Sequence, residues 1–75
     1  MNRLHLPQIS GKAAIAKFLR LGYSITRHKG SHVRLVANLP GKRRLSVPLH
    51  KVLKKGLLAQ LIQDAGVTVQ EFTDL

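Results

Sequence analysis

Tyr23-Ser24-Ile25-Thr26-Arg27-His28-Lys29-Gly30-Ser31-His32-Val33-Arg34-Leu35-Val36-Ala37 reads as two strands and the turn between them. Alternation puts Tyr23, Ile25 and Arg27 on one side of the first strand and Ser24, Thr26 and His28 on the other. Lys29-Gly30-Ser31 forms a tight turn, in which Gly30 takes a positive φ without steric cost. The second strand directs Val33, Leu35 and Ala37 inward and His32, Arg34 and Val36 outward. Working outward from this hairpin, Asn38-Leu39-Pro40-Gly41-Lys42 is a second loop rich in turn formers. A third strand follows, with Leu45, Val47 and Leu49 inward, Arg44 and Ser46 outward, and Pro48 at a strand end.

Helical periodicity flanks the strands on both sides. Before them, Ser10 is a good N-cap, and Ala14, Ile15, Phe18 and Leu19 recur at helical spacing up to Leu21, where Gly22 closes the helix. Pro7 discourages helix at Leu6, so Met1 to Ile9 reads as an extended lead-in. After the strands, Leu57, Leu58, Leu61, Ile62 and Ala65 define an apolar stripe that Gly66 ends. Thr68 and Glu71 have capping-box spacing, which predicts one or two further turns over Val69 to Leu75, with Phe72 packing back. The chain is therefore read as one α+β domain, residues 1–75, ordered helix, three antiparallel strands, helix (α-β-β-β-α). Both helices cover one sheet face, and a short C-terminal helix follows.

Composition narrows the function. Thirteen Lys and Arg against three Asp and Glu give a net charge of +10 in 75 residues, and there is no cysteine. The missing thiols exclude a disulfide scaffold, a thiol nucleophile and any Cys-ligated metal. No apolar run reaches the roughly 18 residues needed to span a bilayer, and Met1-Asn2-Arg3-Leu4-His5 carries no secretory signal. The expected location is the cytoplasm, without membrane contact. There is no Gly-rich phosphate loop, and three carboxylates make no acidic metal cluster, so neither cofactor nor metal is expected. The charge calls for a polyanionic partner, either nucleic acid or an acidic protein, and by itself does not choose between them.

The alternation leaves one sheet face open, carrying Ser24, Thr26, His28, His32, Arg34, Arg44 and Ser46. Arg holds phosphate through a bidentate fork, and histidine titrates nearest neutrality of all side chains. Such a face can bind phosphates. Given a proton acceptor for a ribose 2′-OH and a donor for the leaving 5′-oxygen, it also cleaves RNA. The plainer alternative is a solvated polar face that keeps the protein soluble, and pattern alone favours it over catalysis. His50, after Pro48-Leu49, could simply arrange the junction to the last helix, and His5 carries no motif.

Gly22-Tyr23, Arg27-His28-Lys29-Gly30-Ser31-His32, Val47-Pro48-Leu49-His50-Lys51, Gly56-Leu57-Leu58 and Ala65-Gly66-Val67, in that order, closely resemble the HicA family. These are small mRNA interferase toxins of HicA/HicB toxin–antitoxin systems. The resemblance runs from about Pro7 to Leu75, and its most specific element is Lys-Gly-Ser-His. It implies a double-stranded-RNA-binding-like (dsRBD-like) fold and ribosome-independent mRNA cleavage, with His32 as catalytic residue. It also implies a HicB antitoxin that covers the active surface, with operator DNA engaged only indirectly, through that antitoxin. His28 stands where the family often carries Gln, so the resemblance does not require its ring.

The residues around His32 extend this expectation. Backbone N–H groups of the Gly30 turn, Ser31 and Lys29 would donate to a phosphate there, and Arg34 shares the His32 face. Metal-independent transesterification then follows, with His32 taking the 2′-OH proton or protonating the leaving oxygen. Lys29, Arg34 and Arg44 would hold the phosphate, and His28 or His50 would supply a second acid or base. Lys42, Arg43, Arg44, Lys51, Lys54 and Lys55 would add affinity without reading bases. Phe18 and Phe72 fall on core stripes, which leaves almost no stacking platform and little sequence specificity. Two other readings share the sequence: a non-catalytic RNA-binding module of the same shape, and an adaptor whose basic surface docks an acidic protein.

Overall fold

The computed structural model describes residues 6–75. The part of the lead-in formed by residues 1–5, His5 included, lies outside the described residues. From Leu6 to Ser10 the chain is without regular structure, as the reading of the lead-in requires. It is followed by α1 (Gly11–Arg20), β1 (Ser24–Lys29), β2 (His32–Val36), β3 (Leu45–Pro48), α2 (Lys55–Asp64) and α3 (Val69–Thr73). The strands form an antiparallel sheet in the order β1-β2-β3. The α-β-β-β-α order and the short last helix agree with the sequence.

Local chemistry sets the helix ends. The Ala13 N–H donates to the Ser10 hydroxyl at 3.0 Å and starts α1. At α3 both halves of a capping box are made: the Glu71 N–H donates to Thr68 Oγ1 at 3.0 Å, and the Thr68 N–H donates to Glu71 Oε1 at 2.8 Å. That backbone donor, before the hydroxyl, holds the Glu71 carboxyl below its ordinary pKa. Two lysines close helix C-termini. Lys17 Nζ donates to the oxygens of Phe72, Thr73 and Leu75 at 3.4, 3.3 and 2.9 Å, and Lys42 Nζ donates to Ala65 O at 3.0 Å. Each places a cation at the negative end of a helix, where unpaired carbonyls collect.

The core lies between the helices and one sheet face. Ala14, Ile15 and Phe18 of α1 meet Val33, Leu35, Leu45 and Val47 of the sheet, Leu58, Leu61 and Ile62 of α2, and Phe72 of α3. Phe18 is central, edge-on to Tyr23 at 6.0 Å and tilted against Phe72 at 5.1 Å. Leu53, in the connection to α2, is also buried, and its N–H donates to Ile9 O at 2.8 Å. Both α1 and α2 pack over β3. The edge strand β1 therefore overhangs the helical layer and is exposed along its whole length, Ile25 at 52%. Leu49, read as inward, lies past the end of β3 and is 38% exposed.

Close approach explains Gly11. Its N–H donates to His50 O at 2.9 Å, and a Cβ there would collide with the Pro48 carbonyl. The α1 N-terminus is thereby pressed against the end of β3. Gly11→Ala is expected to destabilise the fold by about 1–3 kcal/mol, the usual range for overpacking, as measured by urea unfolding. Tyr23 gives a second test. Its hydroxyl donates to Arg43 O at 2.7 Å, and burial, then the Asp64 charge, raise its pKa above the ordinary 10.0. The folded chain therefore keeps a proton that the unfolded chain loses near pH 10. This contribution is complete below the unfolded pKa and is lost as pH rises through the folded one. Tyr23→Phe should lower stability by about 1 kcal/mol near neutrality, and the deficit should shrink in urea titrations taken above pH 10.

Candidate functional site

The open sheet face is set by the turn between β1 and β2. Lys29 pairs with His32, so Gly30 and Ser31 alone form the loop. Gly30 has φ +59° and no non-glycine residue among the described ones has positive φ, the arrangement of a type II′ hairpin turn. Pairing partners share a face, so the outward His32 brings Lys29 outward with it. Counting back along the ladder, His28 pairs with the inward Val33 and Arg27 with the outward Arg34. The register then shifts between Ile25 and Arg27, and Ile25 pairs with Leu35. Thr26 is the extra residue of this bulge, and its hydroxyl donates to Arg34 O at 3.4 Å.

The bulge corrects the simple alternation of β1. Ser24 and Ile25 keep the sides read for them, whereas Arg27 moves to the open face and His28 leaves it. The physical reason is one inserted residue, which reverses the direction of every side chain beyond it. His28 instead folds onto the turn, its Nε2 lying 3.1 Å from Gly30 O.

Arg27, Lys29, His32, Arg34 and Ser46 line an open concavity of about 560 Å³. They form two rows across the strands. One row holds Lys29 and His32, with Pro48 beyond; the other holds Arg27, Arg34 and Ser46. All but Pro48 are exposed. The three carboxylates of the chain sit elsewhere. Asp64 accepts from Gln60, Asp74 accepts from Gln70, and Glu71 belongs to its capping box, all on the helical layer. Among the described residues no three His, Asp or Glu side chains gather as metal ligands.

Of the residues singled out in the sequence, Lys29, His32 and Arg34 come together in the concavity, and Gly30 and Ser31 form the turn that joins Lys29 to His32 without lining it. Arg44 is exposed just before β3 and does not line it. His50 is also outside the lining, but the Leu49 N–H donates to Ser31 O at 2.6 Å, so the chain carrying His50 runs alongside the turn. Lys42, read as a phosphate contact, is occupied with the end of α2. Arg27 is the residue that strand alternation missed. The signal was present: a two-residue Gly-Ser turn fixes Lys29 opposite His32, and from that pair Arg27 counts to the outward Arg34.

A protein-family sequence model described as "HicA toxin of bacterial toxin-antitoxin" matches residues 11–67, a span that contains the hairpin, the concavity and both long helices. The chain belongs to the HicA toxin family. It is thus a toxin of a bacterial toxin–antitoxin system, and its family implies an antitoxin partner. A comparison with curated proteins finds no match. Among the described residues, no helix of this HicA-family chain is long and apolar enough to cross a membrane.

Directly opposed like charges weaken a sheet, and Arg27 faces Arg34 with no acid between them. Arg27→Gln is therefore expected to stabilise the fold by a few tenths of a kcal/mol at low ionic strength. The gain should fade in high salt, where the repulsion is screened. Urea midpoints of the two proteins at low and high sodium chloride check this.

Proposed function

We propose that this chain is a ribosome-independent mRNA endoribonuclease that cuts by metal-independent transesterification, with His32 as the catalytic group. The observation that supports it is the meeting, in one open concavity, of an exposed imidazole with Arg27, Lys29 and Arg34 and no carboxylate. A phosphodiester entering this concavity exchanges water for charge-assisted donors on two strands. Lys29 holds its non-bridging oxygens beside His32, Arg34 holds the same backbone from the next row, and Gly30 and Ser31 add N–H groups and a hydroxyl from the turn. Arg44, just before β3 at the end of the sheet away from the turn, adds long-range attraction.

The reaction needs one proton removed and one supplied. The ribose 2′-oxygen loses its proton and attacks phosphorus, the bond from phosphorus to the 5′-oxygen breaks, and the leaving oxygen is protonated. The products are a 2′,3′-cyclic phosphate and a 5′-hydroxyl. His32 performs one of these transfers. His50, on the chain beside the turn, is better placed for the other than His28, which lies off the face and against Gly30 O. Neighbouring cations stabilise the charge that builds on the phosphorane oxygens. The cut RNA is cytoplasmic mRNA, and a HicB-type antitoxin neutralises the toxin by covering this face. Operator DNA is reached only through that antitoxin.

The deciding experiment is an end-mapped digestion of labelled mRNA without ribosomes and with excess EDTA. The wild type should leave cyclic phosphate ends, His32→Ala should cut at least about 100-fold more slowly, in the range for losing a general acid or base, and His28→Gln should still cut. RNA that stays whole until Mg²⁺ is added rules out the metal-independent route. Equal cutting by wild type and His32→Ala removes His32 from the chemistry. Binding by both without cutting leaves the non-catalytic RNA-binding module.

A further inference from the structure

We infer that Arg27, Arg34 and Ser46 form a second phosphate subsite, which seats the phosphate next to the cleaved one and so sets the register of the strand against His32. This deepens the proposed RNA-cleaving function and rests on it. The geometry comes from the ladder. Arg27, Arg34 and Ser46 lie opposite one another on β1, β2 and β3, in one row across the open face. Lys29 and His32 form the neighbouring row, two residues along each strand.

Two residues of strand advance about 6.6–6.8 Å, close to the step between successive phosphates of an extended polynucleotide. One backbone laid along the strands therefore presents one phosphate to each row. Both rows open into the same concavity, so nothing separates the two positions.

Charge supports the same assignment. Arg27 and Arg34 are held face to face across the ladder, and no carboxylate lines the concavity to neutralise them. Two guanidinium groups converging on an anion exchange mutual repulsion for bidentate hydrogen bonding, and the Ser46 hydroxyl completes the row as a neutral donor. The β1 bulge at Thr26 is what turns Arg27 toward this row, and bulges commonly re-aim a side chain at a site.

A chemical double-mutant cycle tests the subsite. Trinucleotides are made with one ribose bearing a 2′-OH, so that only one linkage can be cut. The other linkage, 5′ or 3′ of it, is either a phosphate or an uncharged methylphosphonate. With wild type, neutralising the adjacent linkage on one side should lower kcat/KM by roughly three- to ten-fold, the worth of an exposed charge-assisted hydrogen bond. With Arg27→Gln, at an exposed position where the fold is expected to be kept, the same neutralisation should cost nothing further. Losses that simply multiply on both sides overturn the subsite while leaving the nuclease standing. No cutting of any trinucleotide or of mRNA by wild type overturns the nuclease, and the subsite as a reaction register with it.

A binding arm is independent of cleavage. With an uncleavable 2′-O-methyl hexanucleotide, the slope of log affinity against log salt should be shallower by about 0.7 in Arg27→Gln than in wild type, one single-strand phosphate contact. Equal slopes overturn the subsite.

Discussion

The pairing of Lys29 with His32 across a two-residue turn is the constraint on which the functional face depends. It fixes which side chains of β1 and β2 look outward, because strand parity is propagated rung by rung from the closing pair. A second demand comes from the other end of β1, where Tyr23 must reach the core beside Phe18 and bond Arg43 O. With an unbroken ladder these two demands conflict. One extra residue at Thr26 reconciles them, and the outcome is Arg27 facing Arg34. The core and the cationic face are therefore solutions to a single register problem.

The fold manages its charge by position. Lys17 and Lys42 are drawn to the carbonyl ends of α3 and α2, where helix dipoles are negative and cations stabilise. Lys17 also lies 5.5 Å from the Phe72 ring centre, so it holds α3 on α1 through both contacts. The three carboxylates are spent on the same helical layer. What remains on the sheet is Arg27, Lys29 and Arg34 without a counter-charge. The helices and β2–β3 carry the apolar core, whereas β1 is held by its ladder, so repulsion on the open face acts where packing contributes least.

Element order, both caps and the inward residues of β2 and β3 were legible because each rests on a local rule: Ser10 and Thr68 as N-caps, Phe18 and Leu58 at helical spacing, Val33 and Leu35 at a period of two. The proximity of Lys29, His32 and Arg34 was legible for the same reason. The misplaced sides of Arg27 and His28 come from a non-local balance. Alternation along β1 says nothing about an inserted residue, which appears only when the turn register and the burial of Tyr23 are imposed together. Lys42 escaped for a related reason, since its partner Ala65 O comes from a helix end far along the chain. Leu53 belongs to no periodic stretch, so nothing local marked it as core.

Where the aromatic rings sit determines the kind of recognition this face can offer. Phe18 and Phe72 are fully buried and Tyr23 nearly so, and these are the only aromatic side chains of Phe, Tyr or Trp type in the chain. No Phe, Tyr or Trp ring is left on the concavity for a base to stack on, which removes the usual sequence-tolerant grip on single strands. The concavity offers cationic donors, one imidazole and hydroxyl groups, all suited to phosphate and ribose. Phosphate contacts fix position and leave sequence largely unread. Affinity built this way falls steeply with salt and discriminates weakly among sequences. For the proposed nuclease activity that combination is coherent: a face that reads backbone alone would act on many messages, and an acidic protein surface that satisfied the same cations would compete for it directly.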